Sequence, residues 1–509
     1  MGHSWKEDRA NTRIKTRFEE VRAVEIVDYK RDMSLESIPA KKAYRMDAAH
    51  LYIDIVNLDD ILDCTSVEGE TCHKRALRFL NQHYRAVHRI VQQTDAIRVD
   101  FHNQRLHAVV AKPYGEDSER ARIAHAVAIA RLVADVLAET GDDDEQIPNA
   151  RVRVGIDSGL ALVVNNGRRG GREPLFLGQP ANHAAKCASA GTNEGIYLTN
   201  AARVVMGFPL LATGKDWTTA LTRQQIDTCV EAAALSVSKE QIIKLWRDEQ
   251  EETPIGSISF SRPTPPLSDL DFDSLSVSNT KRFEGISVYA DIDGFSAYVD
   301  KYLKDNPEDL VRTLHVVRSE LDAVTHEDFG GRRVRFIGDC VHGIILEGTA
   351  HITDLETSIS TATLCAGALR SSFACAVAHL SDGGVDIDGL GLAIGFELGP
   401  VSLTRLGMKA DKIRCAIGRA VLISEAEQQR CDGTQTAIGA DAYMSASPAV
   451  REVFVASRLV NDLSYNAAVD QLYAADDRVA KAAYTEAMQV HAPAIVPSLG
   501  KPLRPHSVG

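Results

Sequence analysis

Two acidic residues are placed where they could do phosphate chemistry. One ends an apolar run in Ser287-Val-Tyr-Ala-Asp291-Ile-Asp-Gly-Phe-Ser296, and the other follows a glycine in Arg335-Phe-Ile-Gly-Asp339. The apolar run reads as a short buried strand with Asp291 at its end. Gly338 permits a tight bend beside the Asp339 carboxylate. If the two strands are neighbours, a separation of 48 residues closes to one sheet edge. Two hard carboxylates there suit Mg²⁺ or Mn²⁺ bound together with substrate phosphates. The turn through Gly294, Phe295 and Ser296 runs into a helix and presents backbone amides as an anion cradle for those phosphates. A lone strand-end aspartate is more often a helix cap, by ~4:1. The second acid at a glycine turn reverses that ratio.

The pattern recurs in weakened form. Leu51-Tyr-Ile-Asp54-Ile-Val-Asn-Leu-Asp59 keeps the Asp and loses the Gly-Phe. Gly155, Gly159 and Gly178 match Gly395, Gly399 and Gly418 at a constant offset of 240, and Asp54 matches Asp291 at 237. The chain is a tandem duplication whose copies have lost different residues. With 509 residues, two units of about 200 leave room for tails and a linker.

Each copy has the order strand, helix (Lys74 to Gln93; Asp309 to His326), hairpin (Ala96 to Val110; Arg332 to Leu346), apolar helix, strand. This β-α-β-β-α-β order predicts an α+β fold of two ferredoxin-like units, each an antiparallel sheet with helices on one face, plus helical tails. Residues 1–45 form a charged, solvent-facing helical segment; 46–250 hold the first copy with a helical extension. Residues 251–282, with four prolines and many serines, have linker composition, and 283–509 hold the second copy and a tail ending in a loose Pro-rich stretch.

A net charge of −13 argues against a nucleic-acid-coating protein. Nine scattered cysteines without a C-x-x-C pair point to a reducing cytoplasm rather than a disulfide scaffold. The charged N-terminus is no secretory signal, and the apolar stretches Ile123 to Leu137 and Ile359 to Leu380 are interrupted by Arg, His or Ser, so no membrane partner is expected.

The residues around Asp291 and Asp339 resemble the class III nucleotidyl cyclases, whose metal-bearing half reads Asp-Ile-x-Gly-Phe and later Gly-Asp. The resemblance spans both copies and is most specific in the opening stretch of the second. It implies two cyclase domains packed head to tail, with Asp291, Asp339 and the Ile292 carbonyl holding two divalent cations. It also implies that the other half supplies an Asn and, four residues later, an Arg to steady the transition state. The second copy has Leu422 and Ala426 at those positions; the first has Asn182 and Lys186. Conversely, the first copy has Gln104 where the second has Asp339. Only one interfacial site is then complete. Lys186 departs from the family's Arg and lacks its bidentate fork. By the same resemblance Lys409, rather than Lys412, binds the triphosphate.

The resemblance places base reading at Asp100 and Leu175, with Arg98 as the alternative if the hairpin register differs. Neither the adenine pair (Lys with Asp or Thr) nor the guanine pair (Glu with Cys) is present. A tandem cyclase lacking both purine codes is similar to the pyrimidine cyclases of Pycsar bacterial antiphage defence. This implies cyclic UMP from UTP, with CTP or ATP as alternatives, or, in another class, a degenerate module that senses nucleotide without turnover. The halves pair within one chain or across a homodimer.

Overall fold

The computed structural model describes residues 3–491 except 32, 36, 64–65, 103, 142–146, 166–173, 192 and 409–411. In the first half, β1 (Lys42–Ile55) is followed by α2 (Glu70–Gln93), the hairpin β2 (Ile97–His102) and β3 (Arg105–Val110), α3 (Glu119–Leu137), β4 (Val152–Asn165), β5 (Pro174–Leu177), α4 (Gln179–Ser189) and β6 (Gly195–Leu198); α1 (Glu7–Glu20) precedes them all. The second half repeats the series. It runs β7 (Asn279–Asp293), α5 (Phe295–Tyr302), α6 (Pro307–Ala323), β8 (Arg332–Ile337), β9 (Cys340–Ile345), α7 (Leu355–Asp382), β10 (Gly391–Leu406), β11 (Ile413–Ile417), α8 (Arg419–Gln429) and β12 (Gln435–Ile438).

The sheet orders β2-β3-β1-β4 and β8-β9-β7-β10 are the same, with antiparallel neighbours throughout. This is the expected ferredoxin-like arrangement. The duplication extends to side chains. Tyr52 stacks on His107 with ring centroids 4.2 Å apart, and Tyr289 stacks on His342 at the same distance. The repeated glycines have a packing cause. A Cβ at Gly155 would lie 2.1 Å from the Ala184 carbonyl, and one at Gly395 would lie 2.1 Å from the Gln428 amide. Each strand therefore lets the following helix rest directly on its backbone.

The halves pack head to tail by exchanging arms. Leu162, Val164, Leu175 and Leu177 of the β4–β5 arm belong to the core of the second half. Leu406, Ile413, Cys415 and Ile417 of the β10–β11 arm belong to the core of the first. The two halves of this chain thus complete each other's cores.

The N-terminal segment departs from the expected solvent-facing helix. Ala10 and Ile14, one turn apart, are buried with Trp5 in the second half's core, and Arg13 bonds Glu320 and Asp328. Its charges conceal a narrow apolar stripe. The Pro/Ser-rich stretch 251–282 is likewise anchored, through buried Leu267, Phe272 and Leu275. The Pro-rich C-terminal stretch lies outside the described residues. α7 is long and apolar enough to cross a bilayer, yet 72% of its most apolar window is buried inside the protein, which makes it a core helix.

Gly395→Ala should destabilise the chain by about 3 kcal/mol, because backbone rather than a yielding side chain meets the new methyl. A fall in the urea midpoint at unchanged m-value checks this.

Candidate active site

Strand register brings the two acids together. Ala290 of β7 lies opposite Val341 of β9, so Asp291, one residue further on, and Asp339, in the turn before β9, share one sheet edge. Gly338 makes that turn with φ +60°. Loss of water, with Asp293 and Glu425 nearby, pushes the Asp291 carboxyl up to about 6. Burial and the charge of Asp291 push Asp339 well above the usual range, while Arg318 pulls it down. Two buried carboxylates with raised proton affinity suit a hard divalent cation, and all donors are oxygen. Among the described residues no group of three or more His, Cys, Asp or Glu exists to hold a metal. The remaining coordination positions would therefore fall to backbone, water and substrate. The Ile292 side chain is buried in the core, so its carbonyl is what it could offer.

The turn beyond the acids is sterically specified. Gly294 has φ +79°, and a Cβ there would meet the Gly389 carbonyl at 2.3 Å. Asp293 is drawn off to the side, accepting a 2.8 Å bond from the Gly433 amide. Phe295 is buried beside Tyr298. What this turn presents outward is the Ser296 hydroxyl and the first-turn amides of α5, which precede the helix's own hydrogen bonds.

The first half meets this edge directly. Asn182, in the first turn of α4, donates from Nδ2 to Ser296 Oγ at 3.0 Å. Gly178 starts that turn with φ +144°. Lys186 follows one turn later on the same face, exposed, with Nζ 4.6 Å from the centroid of the Trp217 ring. Asn182 therefore meets the turn that follows Asp291, and Lys186 lies one turn further along the same helix. Trp217 lies in no motif, and reading the sequence did not single it out.

The matching edge of the first half is closed by an ion pair. Arg105 Nη2 stands 3.1 Å from Asp54 Oδ2, at the position of Cys340 in the second copy. Glu425 adds negative charge beside both residues. The cation here is part of the chain, and Gln104 takes the place of the second acid.

The base-reading residues depart from expectation. The Asp100 carboxylate is engaged by the Arg335 guanidinium, which also donates to the Phe101 carbonyl. A carboxylate committed to an ion pair is not the open acceptor that base reading requires. Asp100 and Arg335 are equivalent positions of the two copies, 235 apart like Gln104 and Asp339, so their contact marks the pseudo-two-fold axis. The alternative reader, Arg98, bonds the Tyr84 hydroxyl. Leu175 is buried against the second half and offers only an apolar wall. Lys409 lies outside the described residues.

Residues 43–216 match the adenylate and guanylate cyclase catalytic domain. The match falls on the first copy, whereas the residues with the closer resemblance to the family's metal motif are in the second. A uridylate cyclase of Pseudomonas aeruginosa is 54% identical over 509 residues, covering 100% of this chain and 98% of that protein. A uridylate cyclase of a Rhizobium species is 38% identical over 439 residues, 82% of each. The crystal structure of a class III adenylyl cyclase-like ATP-binding protein from Pseudomonas aeruginosa superposes with a TM-score of 0.91 at 55% identity, covering 93% of this chain and 100% of that one.

Arg105→Ala should cost about 2 kcal/mol of stability by leaving Asp54 without its counter-charge, and adding Asp54→Asn should recover most of it. Denaturant midpoints of the two variants give the answer.

Proposed function

Because the chain belongs to the adenylate and guanylate cyclase catalytic-domain family, the class III nucleotide cyclases, we propose that it converts UTP to 3′,5′-cyclic UMP and pyrophosphate. One observation carries the reading: Asn182 of the first copy bonds Ser296, in the turn that follows Asp291 of the second. Two relatives that match most of this chain bear the name uridylate cyclase, which favours UTP over CTP and ATP.

In this reading Asp291 and Asp339, with the Ile292 carbonyl, hold two Mg²⁺ or Mn²⁺ ions. When bound there, such ions would make the ribose 3′-hydroxyl a better nucleophile and neutralise triphosphate charge. The amides at Gly294, Phe295 and Ser296 cradle phosphate oxygens at the α5 N-terminus. The 3′-oxygen attacks the α-phosphorus in line as the bond to pyrophosphate breaks. Asn182 and Lys186 face the charge that develops on the α-phosphate oxygens. Leu175 supplies an apolar wall to the small pyrimidine ring, with no side-chain acceptor for the adenine amino group. A second messenger made this way fits a cytoplasmic enzyme of bacterial antiphage defence.

Purified protein incubated with each NTP and Mn²⁺ should yield cyclic UMP as the main product by chromatography. Cyclic AMP or cyclic CMP as the main product refutes the base assignment, and nucleotide binding without any product refutes catalysis. Asp291→Ala and Asp339→Ala should each abolish turnover while leaving the fold intact by circular dichroism. Asn182→Ala should lower kcat about 10²-fold.

The acid pair also sets a pH dependence. The raised Asp291 pKa means that the cation-free folded chain binds more protons than the unfolded chain between about 4 and 6. Its contribution to stability is therefore present at low pH and lost as pH rises through about 6. Cation binding requires the deprotonated acids, so Mn²⁺ should raise Tm more at pH 7.5 than at pH 5. Equal Tm shifts at the two pH values would contradict this assignment.

A further inference from the structure

A lysine in place of the family's arginine leaves the transition-state pair with a flexible point charge, four rotatable bonds from the backbone. The structure supplies a platform for it. Lys186 Nζ sits 4.6 Å from the centroid of the Trp217 indole, within cation–π range. Trp217 is held at its backbone and at its ring. Its backbone carbonyl accepts a 2.5 Å bond from Arg153, a fully buried side chain of β4 whose Nε also donates to the Cys187 carbonyl of α4. The His183 imidazole meets the ring in an edge-on contact, with centroids 5.3 Å apart. His183 is itself held by Asp157, Nδ1 to Oδ2 at 3.1 Å, and Asp157 accepts a further 2.5 Å bond from Thr199. His183 lies on α4 between Asn182 and Lys186, so the same helix carries the reacting pair and a clamp on the platform.

We propose that Trp217 is a positioning residue that holds the Lys186 ammonium at the α-phosphate, replacing with an aromatic face the geometric control that an arginine fork would give. The His183–Asp157 pair keeps the indole in place. This rests on the nucleotide cyclase reading and adds to it: the segment following the first copy, outside the repeated unit, becomes part of the site.

A double-mutant cycle on the full chain, with UTP and Mn²⁺, tests the proposal. Trp217→Ala should lower kcat about 10-fold with KM for UTP changed less than two-fold, because the platform acts on the transition-state cation rather than on ground-state binding. Trp217→Phe, which retains an aromatic face, should recover part of the loss. In a Lys186→Ala background, Trp217→Ala should have no further effect on kcat. Two results would overturn the proposal: a Trp217→Ala kcat within two-fold of the parent, or a loss as large with Lys186→Ala present as without it. The second is what a merely structural tryptophan would give. Failure of the unmodified protein to form any cyclic nucleotide would instead refute the cyclase reading, and the platform proposal with it, so the parent assay separates the two failures.

Discussion

The structure depends on the exchange of apolar arms between the two copies. Neither half closes its own core: each lends a hairpin whose inward face (Leu162, Val164, Leu175 and Leu177 in one, Leu406, Ile413, Cys415 and Ile417 in the other) completes its neighbour. Apolar burial of this kind has no direction of its own, but each arm is a strand pair within its own half, so alternate residues along it face the neighbour. In the same arrangement the N-terminus of α4 lies against that of α5, where Asn182 bonds Ser296.

The same geometry creates two equivalent edges, and charge decides between them. At one edge Asp54 is neutralised by Arg105 from the adjoining strand, so the protein supplies the counter-ion and the position is closed. At the other, burial raises the affinity of both Asp291 and Asp339 for protons, and Cys340 stands in the place of the arginine. Two adjacent differences at the start of a hairpin strand, Gln104-Arg105 against Asp339-Cys340, thus separate an edge that neutralises itself from one that gathers two acids. One copy lacks the second acid, and the other lacks the Asn and the cation that follows it.

The architecture was legible from the sequence because a duplicated chain carries its own internal comparison. The 240-residue spacing of Gly155 and Gly395 marks a contact in which only hydrogen fits between strand and helix, and such a constraint survives divergence. Asp291 and Asp339 were legible for a similar reason, since each sits beside a glycine with positive φ, at positions 294 and 338. Asp100 misled because sequence spacing locates a position without revealing its cross-domain partner, here Arg335. Trp217 was invisible because a cation–π contact to a lysine 31 residues away leaves no periodic trace. The N-terminal helix deceived by composition: a two-residue apolar stripe, Ala10 and Ile14, is enough to dock a helix that is otherwise charged.

The Asp100–Arg335 contact on the pseudo-two-fold axis bears on how this chain chooses its companion. Were two first halves from different molecules to embrace each other, the axis would set aspartate against aspartate. Two second halves would set arginine against arginine. Only the unlike embrace places opposite charges there, and like charges so closely confined cost several kcal/mol. One residue pair therefore guards against self-association of identical halves.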